Sequence, residues 1–142
     1  MDQDWNSFHT FEIQWTPDYV AWYMDGNEVR RAGSSDPGVG YLTKAQNLMM
    51  NFWVPTWSPW GDNFDPAGMP WELQYDWVEV YTYDQTSKTF DFQWRDDFTG
   101  TSLNTDLWLP SNNWSFDQNN VTFMQSQVSV QDGCLVLTMI PQ

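Results

Sequence analysis

Residues 10–32 read TFEIQWTPDYVAWYMDGNEVRRA, and the hydrophobic period across them is two. Phe11, Ile13 and Trp15 alternate with Thr10, Glu12 and Gln14, the pattern of a half-buried strand. Pro17-Asp18 turns the chain. Residues 19–24 then run into Asp25-Gly26, a hairpin dipeptide, and the chain returns through 28–32. The same period recurs at 46–53, 71–83 and 90–98, each expected as one strand. A last hairpin is expected from 127–130 and 134–140 about Asp132-Gly133. Helical spacing is nearly absent, with one turn expected near 102–108, and GSSDPGVG (33–40) is a loop by composition. Short strands punctuated by Gly, Pro and Asn predict an all-β fold, an antiparallel β-sandwich.

The chain has 142 residues, enough for one domain or a large piece of one. Five Lys and Arg against 19 Asp and Glu give a net charge of −14, which repels phosphate backbones and anionic lipid. Nucleic acid and membrane are therefore set aside as partners. A disordered acidic chain is poor in rings, whereas this one is 18% aromatic with 11 Trp. One cysteine, Cys134, and one histidine, His9, exclude an intrachain disulfide, a thiolate zinc site and a multi-histidine metal site. His9 reads as a structural hydrogen-bonder and Cys134 as a core filler. No apolar run is long enough for a membrane span, and nothing resembles a leader peptide.

The stretch MNFWVPTWSPWGD (50–62) concentrates three tryptophans and two prolines with almost no charge. As a strand, 47–53 would turn Leu48, Met50 and Phe52 to the core and Asn47, Met49, Asn51 and Trp53 to the other face. Amides beside a flat ring suit a sugar, whose C–H face stacks on the ring while its hydroxyls bond the amides. Trp57 and Trp60 would extend that surface, with Pro55 and Pro59 stiffening the loop. The alternative is that the rings merely cover a sheet edge.

SFHTFEIQWTPDYVAWYMDGNEVRR, MMNFW and YDWVEVYTY resemble strands of glycoside hydrolase family 16, the clan of lichenases and laminarinases. FQWRDDFTGTSLNTDLW and NNVTFMQSQVSVQDGCLVLTM resemble the opening of the same module, yet here they come last. The order is similar to that of a circularly permuted lichenase. The resemblance implies a jelly-roll (concanavalin-like) sandwich, of which this chain carries only part. Residues 1–83 would be the C-terminal-half-like part, 84–89 a linker, and 90–142 the permuted N-terminal strands of one domain. It also implies an extracellular protein that binds 1,3-1,4- or 1,3-linked β-glucan, with Asn51, Trp53, Trp60 and Trp114 lining the cleft.

The family's catalytic strand reads Glu-x-Asp-x-Glu, and no such motif occurs in this chain. The nearest imitation is Glu72, Gln74 and Asp76, whose middle member is an uncharged amide. No catalytic residue is therefore assigned. Hydrolysis would need a complementary polypeptide segment, and without one the alternative is a non-catalytic, lectin-like carbohydrate-binding module. The resemblance further implies a structural calcium ion, held by the Asp76 side chain and the carbonyls of Asp97 and Gly133. Those hard oxygens suit calcium.

Overall fold

The computed structural model describes residues 4, 6–57 and 65–141. Its strands are β1 (Phe11–Trp15), β2 (Tyr19–Met24), β3 (Asn27–Gly33), β4 (Trp71–Tyr75), β5 (Val78–Asp84), β6 (Thr89–Asp96), β7 (Val128–Gln131) and β8 (Cys134–Met139). They form three sheets, ordered β1-β2-β3, β4-β8-β7 and β5-β6, with antiparallel pairing in the first two. The fold class is the expected one, all-β and antiparallel, in keeping with part of a jelly-roll sandwich. The chain divides into two compact units, residues 1–48 with 81–92, and residues 49–80 with 93–142.

In the first unit both turns follow from local chemistry. The buried Thr16 hydroxyl accepts from the Asp18 and Tyr19 amides (3.2 and 3.1 Å), closing the turn that contains Pro17. Asp25 and Gly26 have φ of 51° and 75°, the left-handed pair that a two-residue hairpin of this twist requires. His9 braces the second turn. Its Nδ1 lies 2.8 Å from an Asp25 carboxylate oxygen and its Nε2 lies 3.0 Å from the Asp4 carbonyl. Both partners only accept, so both bonds form together only when the ring carries a proton on each nitrogen. The Asp25 hydrogen bond raises the His9 pKa, and the same bond lowers that of Asp25. This brace is complete below the ordinary histidine range and is lost as pH rises through the raised value.

Register pairs place Phe11 with Met24, Ile13 with Trp22 and Trp15 with Val20 on one face of the sheet. The alternation is as expected, but the burial is not. Phe11 and Ile13 are each 66% exposed on the edge strand β1, whereas Val20 and Ala21 of the central strand are buried. An edge strand has a neighbour on one side only, so burying its apolar row requires a layer packed over that face. The loop at 33–40 contains one helical turn, α1 (Pro37–Gly40), because Asp36 caps the Gly38 amide and proline occupies the first turn.

The second unit is built on the β4-β8-β7 sheet. Phe98, Val130 and Leu135 form its buried centre, and Met50, Tyr75, Val78, Leu103, Trp108, Val128 and Leu137 pack against it. Asp96 holds the entry to this core. One carboxylate oxygen accepts from the Phe98 amide (2.9 Å) and the other from the Trp108 indole (2.8 Å). The turn expected near 102–108 is present, closed by the Trp108 amide on the Asn104 carbonyl at 3.0 Å.

Two strand expectations are corrected. Residues 71–83 are two strands, not one. They break at Asp76-Trp77, where the chain leaves the β8 ladder and enters the pairing with β6. Residues 46–53 belong to no strand, since alternation predicts an extended chain but not a neighbour to pair with. Met50 does reach the core, yet Leu48 is 53% exposed and Phe52 only half-buried. The 84–89 stretch expected as a linker is instead the end of β5, a turn at 85–88 and the start of β6. There the Asp84 carbonyl accepts from the Lys88 amide (2.9 Å), and its carboxylate accepts from Thr86 (2.7 Å) and Ser87 (2.9 Å).

Candidate functional site

Two segments of the second unit, distant in sequence, are stitched together. Pro55 faces Asn119 across an isolated antiparallel bridge. The Thr56 amide donates to the Gln118 carbonyl (2.9 Å) and the Asn120 amide to the Val54 carbonyl (2.8 Å). In this kind of pair the hydrogen bonds flank the facing residues, so the missing N–H of Pro55 costs nothing. Gln118 turns the second segment at a φ of 67°. Trp114 and Phe123 then face each other as a doubly hydrogen-bonded pair, at 3.2 and 2.7 Å.

This stitching assembles four rings. Trp53 meets the Phe116 edge at 5.1 Å between centroids, Trp114 lies 5.8 Å from Phe116, and Trp114 stacks on Phe123 at 5.6 Å with 18° between planes. Trp53 is half-buried, while Trp114 is 52% exposed and presents indole surface to solvent. Such surface, lined by polar side chains, can stack against the C–H face of a pyranose.

Two of the expected sugar residues, Trp53 and Trp114, thus join one aromatic cluster through Phe116. Asn51 is exposed two residues before Trp53, in chain that belongs to no strand, so a shared strand face with Trp53 is not found. Trp60 lies outside the described residues. Phe116, Phe123 and Asn120 were not anticipated. Their signal was available in WSFDQNNVTF (114–123), where a polar turn stretch separates alternating aromatics.

Glu72, Gln74 and Asp76 do not form a carboxylate row. Glu72 and Gln74 are exposed on β4, opposite Thr138 and Val136, but the strand ends at Tyr75 and Asp76 lies beyond it. The calcium candidates instead border one core cluster. Asp76 follows Tyr75, Asp97 precedes Phe98, and Gly133 lies at the turn before Leu135, the register partner of Tyr75. The Cys134 thiol is pushed up by burial and then by the charges of Asp76 and Asp132. The side chains of Asp96 and Asp97 are engaged elsewhere, Asp97 by the Arg95 guanidinium at 2.5 Å. Among the described residues no group of three His, Cys, Asp or Glu side chains converges on a metal. The donor set of one carboxylate and two carbonyls needs no such group.

Comparison with known proteins places the chain in a family. The model of Glycosyl hydrolases family 16 matches residues 1–79, more than half of the chain. The chain belongs to glycosyl hydrolase family 16. A beta-glucanase of Fibrobacter succinogenes is 32% identical over 137 residues, covering 94% of this chain and 38% of that protein. A xylanase/beta-glucanase of Ruminococcus flavefaciens is 36% identical over 73 residues, 51% of this chain and 8% of that protein. A beta-glucanase of Paenibacillus polymyxa is 34% identical over 74 residues, 51% of this chain and 29% of that protein. This family 16 chain therefore spans under two fifths of the length of these relatives.

Proposed function

We propose that the chain forms one wall of the β-glucan cleft of a retaining endo-β-glucanase acting on 1,3-1,4- or 1,3-linked glucan. The observation that carries this reading is the joining of Trp53 and Trp114 in one half-exposed aromatic cluster. The names of the relatives support a glucan as the ligand. A complementary segment bearing Glu-x-Asp-x-Glu would supply the nucleophile and the acid. The exposed row on β1 supports such a partner, because a second sheet layer would cover Phe11 and Ile13. An extracellular location fits a polymer too large to enter a cell.

A permuted order is part of the same reading. The match to the Fibrobacter protein runs collinearly through 137 residues, whereas the next two relatives match only 73 and 74. The second reading is a non-catalytic, lectin-like module, favoured by the lack of a carboxylate row. Both readings require sugar binding. Titrating the chain with a mixed-linkage tetrasaccharide should quench or shift tryptophan fluorescence, and Trp114→Ala should lose most of that response at nearly constant melting temperature. Unchanged binding with a collapsed melting temperature would make Trp114 a packing residue.

Within this proposal a calcium ion is held by the Asp76 carboxylate and the Asp97 and Gly133 carbonyls. It would supply structural charge neutralisation, tying the start of 97–98 to the β7–β8 turn. Saturation at a hundredfold excess over Kd stabilises the folded state by about 2.7 kcal/mol. Chelation should therefore lower the melting temperature by several degrees, and Asp76→Ala should abolish the difference. A melting temperature indifferent to both rejects the site.

A further inference from the structure

We infer that Asn120 is a positioning residue that sets the distance between the two sugar-stacking tryptophans. The inference rests on the cleft reading above. Asn120 grips consecutive carbonyls of the loop after Trp53: its backbone amide donates to Val54 at 2.8 Å and its Nδ2 to Pro55 at 3.0 Å. Neither backbone bond of the bridge uses the Pro55 carbonyl, so the side-chain amide binds a group the ladder leaves over. Six residues earlier in the same segment stands Trp114, and Phe116 touches both tryptophans. Asn120 thereby fastens the backbone carrying one ring to the hairpin carrying the other.

A positioning role has a signature that hydrophobic packing lacks. Asn120→Asp preserves shape but sets a carboxylate oxygen against the Pro55 carbonyl, two acceptors facing each other. Asn120→Ala removes the donor. In the full 142-residue chain, both variants should bind the mixed-linkage tetrasaccharide about five- to tenfold more weakly, the scale of one lost hydrogen bond. Their far-UV melting temperatures should stay within a few degrees of the parent, while the near-UV circular dichroism of the ring cluster changes. Unchanged affinity in both variants, in a parent that binds, overturns the clamp alone. A parent that binds no tetrasaccharide overturns the cleft reading and the clamp with it. Should both variants fail to fold, amide exchange in the unsubstituted chain still decides: the Thr56 and Asn120 amides must exchange slowly, and free exchange overturns the inference.

Discussion

The purified 142-residue chain is expected to release no reducing sugar from lichenan or laminarin, and to do so only after a segment carrying Glu-x-Asp-x-Glu is added. Retaining hydrolysis needs two carboxyl groups about 5–5.5 Å apart across the scissile bond. Period two on a strand delivers that arrangement from alternate positions of one face. β4 offers Glu72 and then Gln74, which can neither attack nor protonate, and it ends before Asp76. A positioned acid or base contributes on the order of 10²–10⁴ in rate, so losing both removes activity beyond the reach of a reducing-sugar assay. The decisive control is Glu72→Gln. Turnover by the chain alone that disappears in this variant would make β4 catalytic and reject the two-segment reading.

The largest effect on stability is expected at Phe98. It is 2% exposed, packs with Val130 and Leu135, and its ring lies 6.0 Å from that of Trp108. Phe98→Ala should cost about 3–5 kcal/mol, since the surrounding strands collapse only partly into the space left. For a domain of this size that corresponds to a fall in melting temperature on the order of 10–20 °C. Its backbone sits at a φ of 48°, an uncommon conformation for a bulky residue, which burial of the ring and the Asp96 bond to its amide hold in place. Phe52, the ring expected to be buried, is only half-buried and should cost less. Equal losses for Phe98→Ala and Phe52→Ala in a chemical denaturation series would contradict this ordering of the core.

What could be read from residues alone tracks how local the determinant is. The Asp25-Gly26 and Asp132-Gly133 hairpins were legible because two residues that tolerate positive φ carry the whole turn. The break at Asp76-Trp77 was not, because alternation continues across it while the hydrogen-bonding neighbour changes from β8 to β6. Residues 46–53 failed for the related reason that a sheet neighbour lies elsewhere in the chain. At the site, tryptophan chemistry suggested sugar, but the pairing of Trp53 with Trp114 came only through family resemblance. Asn120 escaped notice because its role depends on a carbonyl 65 residues away.

The turn at Asp84–Lys88 bears on how fast this molecule can organise itself. Because β5 and β6 are joined by a handful of residues, their ladder closes a very short loop, and hairpins of this kind form in about 1–10 μs. Were the same two strands at opposite ends of a chain of this length, closing the loop would cost about 3 kcal/mol more in chain entropy. A pairing that would otherwise wait for the rest of the molecule becomes one of its first events. The slower, long-range contacts can then grow from a pair of strands already aligned.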